Sequence, residues 1–261
     1  MINIKSKDEI EKIRGCGIIS ANFFKYIAKF VSPGISTNEL DRIAENFILK
    51  HGATPSFKNY KGYPSSICTS VNEEIIHGIP SNQKLKNGDI IGIDVGIQKY
   101  GMISDSAYTF KVGKVPDEVE KLLERTENVL YKAISKIKSN TEINNISGTI
   151  EDYIGKFRYG IVREYCGHGV GYQNHEDPEI PNYRFKEGRR LLKKGMVIAI
   201  EPMINLGSSE CFVLDDGWTV VTIDGSYSAH FEHTIAVTED GFDILTIIPE
   251  ELDEIKKKFG I

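Results

Sequence analysis

Four cysteines in 261 residues, none of them in a CxxC pair, are too few and too scattered for a disulfide framework or a closed zinc–thiolate site. Cys16, Cys68, Cys166 and Cys211 therefore read as reduced thiols of a cytoplasmic protein. No apolar run approaches the ~18–20 residues of a membrane span. The charged opening MINIKSKDEIEKIRG also lacks the apolar centre of a secretory signal. Basic blocks are missing too, and with 32 Lys and Arg against 37 Asp and Glu no nucleic-acid-binding face is expected. Low-complexity stretches and flexible linkers are absent. What remains, 26% charged and 40% hydrophobic, is the composition of an ordinary enzyme-sized globular chain.

Within it, Ser6-x-x-Glu9 and Ser36-x-x-Glu39 are capping-box patterns. The first opens a helix with Ile10, Ile13, Ile18, Phe24 and Ile27 as its apolar face, weakened at Gly15 and Gly17. The second opens a helix with Leu40, Ile43, Phe47 and Ile48 inward, ending near Gly52. Short β-branched runs from 65 to 112 predict strands and hairpins. Helices over 116–138 and 141–157 follow, then strand texture from 161 to 248.

The order helix, helix, strands thus occurs twice. LKNGDIIGIDVGI (85–97) aligns with LKKGMVIAIEPMI (192–204), which sets Asp94 against Glu201. Upstream, HGIP with His77 matches HGVG with His168. Downstream, the run from Asp105 matches the run from Glu232. Three matches in one order predict a duplicated half, with the boundary near 113–118 and the halves at about 1–115 and 116–261 of a single catalytic domain.

The aligned blocks place carboxylates where strands should be apolar. Asp94 and Glu201 each end a buried-looking run, and an unpaired buried carboxylate costs several kcal/mol. A three-residue Lys99-Tyr100-Gly101 loop with a bulge would set Asp94 nearly opposite Asp105. Like charges that close need a shared cation. Asp94, Asp105, His168, Glu201 and Glu232 hold too many carboxylates for one closed zinc site. They suit two divalent ions with positions left open for water.

Together HGIP, IDVG, DSAYTF, CGHGVG, IEPM and FEHTIAV resemble the type I methionine aminopeptidases, from about residue 6 to residue 248. The resemblance implies an α+β pita-bread fold: two pseudo-twofold-related halves with antiparallel β-sheet inside and helices outside. It implies two metal ions (cobalt, manganese, iron or zinc) on Asp94, Asp105, His168, Glu201 and bridging Glu232. It makes His77 and His175 catalytic, substrate-contacting histidines, with Glu201 as proton shuttle, and puts Tyr60, Tyr63, Cys68 and Trp218 at the methionine pocket. The expected reaction removes an N-terminal methionine ahead of a small second residue, by attack of a metal-bridging hydroxide on the first peptide bond. The expected partners are a peptide or nascent-chain N-terminus and a transient ribosome contact, for a monomer.

Against the family pattern, Phe57 replaces a smaller residue and Asn174 an apolar one. Ser104 stands for a frequent glycine before Asp105, and SNTEI lacks a Pro-Gly. Nothing corresponds to the Cys/His-rich extension of eukaryotic type I members, to the type II insertion, or to the added domain of prolidases. Two other classes stay open: a prolidase-like two-metal hydrolase on the same fold, and a pita-bread binding protein that has lost its ligands.

Overall fold

Both capping boxes form. The hydroxyl of Ser6 accepts from the Glu9 backbone and the Glu9 carboxylate from the Ser6 N–H, opening α1 (Lys7–Ile27); Ser36 and Glu39 open α2 (Thr37–Lys50) in the same way. The computed structural model describes residues 2–186, 188 and 190–260. In α1 the buried face is Ile13, Cys16, Ile19, Phe23 and Ile27, while Ile18 and Phe24 are half-buried, a correction of the expected face. The reason is Gly17. A Cβ there would lie 2.1 Å from the Leu245 carbonyl oxygen, so the line of closest contact runs through this glycine and its buried neighbours Cys16, Ser20 and Phe23. The helix passes Gly15 and Gly17 unbroken.

The first half continues with β1 (Thr54–Pro55), β2 (Cys68–Val71), β3 (Glu74–Ile76), β4 (Ile90–Lys99) and β5 (Met102–Lys111). Then come α3 (Asp117–Ile134) and α4 (Ile143–Ile154), shorter than the spans expected. The second half adds β6 (Gly160–Ile161), β7 (Gly167–Gly169), β8 (Glu176–Ile180), β9 (Val197–Ile200) and β10 (Met203–Asn205). It closes with β11 (Cys211–Val213), β12 (Val220–Thr222), β13 (Ser228–His230), β14 (His233–Val237), β15 (Phe242–Ile244) and α5 (Leu252–Phe259), the last not foreseen. No described helix is long and apolar enough to cross a membrane.

Strand β4 pairs with β5 on one edge and with β1 and β2 on the other, and β15-β14-β9-β7-β8 form a five-stranded antiparallel sheet. One core runs from Cys16 to Val112 under α1 and α2, and another from Ile90 to Ile247 under α3 and α4. The repeat is visible bond by bond. Gly34 N–H donates to the Leu85 carbonyl and Asn140 N–H to the Leu192 carbonyl; Gly88 donates to Val112 and Gly195 to Val237. The absent Pro-Gly of SNTEI is replaced by Asn140 itself, whose φ of 66° takes the left-handed place that Gly34, at 97°, fills in the first half.

The hairpin register differs from expectation. Lys99 faces Met102 across a two-residue Tyr100-Gly101 turn with φ of 57° and 74°, so no bulge enters. Asp94 lies opposite Ala107 and Asp105 opposite Gly96. The two aspartates are diagonal neighbours on one face rather than direct partners.

Candidate metal centre and substrate cavity

The halves meet along β5 and the chain around Glu232. Glu232 N–H donates to the Ala107 carbonyl at 2.9 Å. On either side Thr234 Oγ1 donates to the Asp105 carbonyl at 2.7 Å and Thr109 Oγ1 to the His230 carbonyl at 2.7 Å. This seam fixes Asp105 and Glu232 side by side. Behind Asp105, the Ser104 hydroxyl lies buried, 3.3 Å from that of Ser20 on α1. The serine that replaces a glycine is thus absorbed by the helix and does not intrude on the cavity.

A cavity of about 280 Å³ opens beside the seam, near the small end of the ~300–1,000 Å³ typical of small-molecule sites. All eleven side chains singled out from the sequence line it: Tyr60, Tyr63, Cys68, His77, Asp94, Asp105, His168, His175, Glu201, Trp218 and Glu232. Asp105, His168 and Glu232 each offer a ligand atom within 4.8 Å of the others. Asp94 Oδ1, Asp105 Oδ1, Glu201 Oε1 and Glu232 Oε1 are buried with no hydrogen-bond partner. Burial, then mutual repulsion, holds Asp94, Glu201 and Glu232 well above the usual carboxylate range, and burial pushes Asp105 up to about 7. Four acids arranged against one another and left unpaired fit a divalent cation, which removes both penalties.

The imidazole of His168 is preset for such a role. Its Nδ1 lies 2.9 Å from the Gly169 carbonyl, an oxygen that only accepts, so Nδ1 carries the proton. Nε2 keeps its lone pair and faces Glu201 Oε1 at 3.3 Å. Burial pushes His168 down to about 3, so that contact is no ion pair at neutral pH. Gly167 and Gly169 bring β7 against its neighbours: Cβ atoms there would lie 2.4 Å from the Ala199 and 2.3 Å from the Asp177 carbonyl oxygens.

His175 reaches the same cavity, its ring centroid 4.4 Å from that of His168, and rests on Tyr60 with rings 5.7 Å apart. It is exposed at the mouth, and burial followed by Lys61 lowers its pKa. Asn174 before it is buried and donates to the Ser56 carbonyl at 3.0 Å, so the polar residue ties the loop down behind the wall. His77 sits at a left-handed φ of 60°, a conformation worth about 1–3 kcal/mol of strain, and burial lowers its pKa to about 4. Tyr63 buttresses that turn, its hydroxyl donating to the Gly78 and Ile67 carbonyls at 3.0 and 3.1 Å. Phe57, Tyr63, Cys68, Ile79 and Trp218 form one apolar cluster, with the Tyr63 and Trp218 rings edge-on at 5.1 Å. This wall suits a thioether.

One residue was missed. His230 is buried on the cavity wall, its unpaired Nε2 3.5 Å from Glu201 Oε2, and burial, with His77 and His168 nearby, pushes it down to about 3. Its position two residues before Glu232 in an alternating strand was the available signal. His233, next to Glu232, turns the other way. Its nitrogens lie 2.8 Å from Thr246 Oγ1 and 2.8 Å from the Tyr131 hydroxyl.

A pseudo-symmetric α+β pair of halves around an acid-rich cavity defines a pita-bread metallopeptidase. The chain belongs to metallopeptidase family M24, whose model matches residues 11–239. Within that family it is 52% identical over 246 residues to "Methionine aminopeptidase 1" of Bacillus subtilis, covering 94% of this chain and 99% of that one. It is 42% identical over 248 residues to the methionine aminopeptidase of Escherichia coli K12, covering 94% of each. The crystal structure of the Rickettsia prowazekii methionine aminopeptidase superposes with a TM-score of 0.92 at 41% identity, over 95% of this chain and 100% of that chain. A prolidase from Pyrococcus furiosus gives 0.76 at 25% identity, with 94% of this chain and 65% of that chain covered.

Proposed function

We propose that this chain removes the N-terminal methionine from peptides and nascent proteins, preferring a small second residue, as a type I methionine aminopeptidase. The observation that carries the reading is the joining of two features in one cavity: unpaired buried carboxylates from both halves and an apolar wall of Phe57, Tyr63, Cys68 and Trp218. The relatives at 42% and 52% identity supply the substrate class. Asp94, Asp105, His168, Glu201 and Glu232 would hold two divalent ions (cobalt, manganese, iron or zinc). Bound there, such ions polarise a peptide carbonyl and make water acidic enough to react at neutral pH. Because the ligands come from both halves, the whole chain acts as one catalytic unit.

The rest falls to the protein's own groups. Glu201 Oε1 takes a proton from the attacking water and returns it to the leaving amine. His175, at the mouth, donates to the carbonyl oxygen as charge develops, and His77 hydrogen-bonds the scissile amide. The apolar wall holds the methionine thioether and excludes water from it. The enzyme is read as a cytoplasmic monomer that meets emerging chains in transient contact with the ribosome. The test is turnover of a Met-Ala-Ser peptide by metal-depleted protein, each metal added back, beside an Xaa-Pro peptide. Metal-dependent cleavage of the first peptide alone supports the reading; preference for Xaa-Pro defeats it.

A further inference from the structure

We propose that residues 3–9 form a strap that fixes His175 in place, with Lys5 and Glu176 as its positioning residues. Glu176 directly follows His175. Its Oε2 accepts from Lys5 Nζ and from Asn3 Nδ2, each at 2.7 Å. Its Oε1 accepts from the backbone N–H groups of Tyr172 and Gln173 at 2.6 and 3.1 Å. One carboxylate thus winds the loop that ends in His175 around itself and pins it to the N-terminal segment. The Lys5 and Glu176 side chains are 1% and 3% exposed, so the pair meets little competition from water.

The strap is itself held at both ends. Lys5 N–H donates to the Gly195 carbonyl at 2.8 Å, and Tyr172 donates through its hydroxyl to Glu9 Oε1 at 2.6 Å. Glu9 is fixed in turn by the Ser6 capping box. The ring of His175 itself is held lightly: it is exposed at the mouth, beside His168, and leans on Tyr60, its Nδ1 3.3 Å from the hydroxyl. A buried ion pair adds little net stability but specifies one geometry, because moving either partner leaves a charge uncompensated. His175 belongs to a segment without a counterpart in the first half; Asn174 anchors its chain to the Ser56 carbonyl and Glu176 meets Gly169 across β7–β8, and the strap adds the side-chain contacts that hold the loop in front of it.

This rests on reading His175 as the group that meets the substrate carbonyl, and the test separates the two. The double variant Lys5→Met/Glu176→Gln removes both charges together and keeps an acceptor for Tyr172 and Gln173. Asn3→Ala removes one bond at a half-buried site and stands in if the double variant does not fold. Steady-state rates on Met-Ala-Ser and calorimetric metal titration are measured with and without His175→Ala. The expectation is a kcat lower by about 30-fold in the double variant and about 3-fold in Asn3→Ala, with KM and metal affinity within about 2-fold. In the His175→Ala background the same changes should cost less than about 2-fold, since the group they position is gone. Losses that multiply in that background, or metal affinity that falls in step with kcat, overturn the strap alone. An unchanged kcat in His175→Ala overturns the underlying reading and the strap with it.

Discussion

The β4–β5 hairpin of the first half and the β9–β14 pair of the second are versions of one frame, closed in different ways. In the first, Asp94 and Asp105 are joined by a two-residue turn and nothing else intervenes. In the second, Glu201 and Glu232 flank an excursion through β10 to β13 that also delivers Trp218 and His230 to the cavity. His175 likewise sits in a stretch that the first half lacks. On the proposed reading the symmetric frame would supply carboxylates for metal, while the additions to the second half bring Trp218, His230 and His175 to a cavity whose other wall, Phe57, Tyr63 and Cys68, belongs to the first half. Even the seam follows this division. Backbone bonds between Ala107 and Glu232 bind frame to frame, whereas Trp218 and His175 lie outside the strands and His230 ends β13.

The comparison is broken most severely at the frame. Glu232→Gln should lower turnover roughly 10³-fold, because one acid serving the metal is lost. The same change should stabilise the metal-free protein at neutral pH by about 1–3 kcal/mol, since a buried carboxyl that must take up a proton on folding is removed. Calorimetry with and without chelator checks both signs.

The wild-type carboxylates have folded pKa values raised above their unfolded ones, so their contribution to stability is lost as pH rises through the folded values, about 7 for Asp105. Above about pH 7.5 the buried histidines, whose values are lowered, are neutral in both states and contribute little slope. The metal-free Tm should therefore keep falling above about pH 7.5, where Asp94, Glu201 and Glu232 still hold protons that the unfolded chain has released, and added metal should flatten that fall. A flat metal-free profile would mean the acids are not in conflict.

A smaller effect is expected where frame meets pocket. A Cβ at Gly96 would lie 2.0 Å from Ser56 Oγ and 2.7 Å from the Phe57 ring. Gly96→Ala should push Phe57 into the pocket and raise KM about 10-fold, with metal affinity unchanged in titration. The smallest effect tests the symmetry itself. Gly34→Asn should destabilise and Asn140→Gly stabilise, each by about 0.5–1 kcal/mol in urea titrations, with turnover unaffected.

Much of this architecture was legible in the sequence. The capping boxes, the repeat and the run of acids with His168 rest on local chemistry or on spacing; His77, His175 and the pocket residues Tyr60, Tyr63, Cys68 and Trp218 came from the family resemblance, and the structure gathers them in the same cavity. Most of the misses were decided by a partner distant in sequence; the hairpin turn and His230 were local. The α1 face kept Ile13 and Ile27 but runs between them through Cys16, Gly17, Ser20 and Phe23, where Gly17 meets Leu245. The hairpin turn was read as three residues because Tyr100 gave no sign that it would accept a positive φ. The pairing of β3 with β12 across the halves, the link from Lys5 to Glu176, and the stacking of Phe259 on Tyr131 leave no periodic trace. His230 was within reach, but a histidine beside a stronger candidate, Glu232, attracted no separate reading.

The two histidines of the glycine-rich second-half segment carry the division of labour most plainly, and one measurement addresses it. Metal content per chain should be determined for the wild type, His168→Ala and His175→Ala after identical dialysis, beside turnover of Met-Ala-Ser. The account predicts that His168→Ala loses metal, whereas His175→Ala keeps the wild-type content and turns over about 10²-fold more slowly. Equal loss of metal in both variants, or full content in His168→Ala, would contradict it.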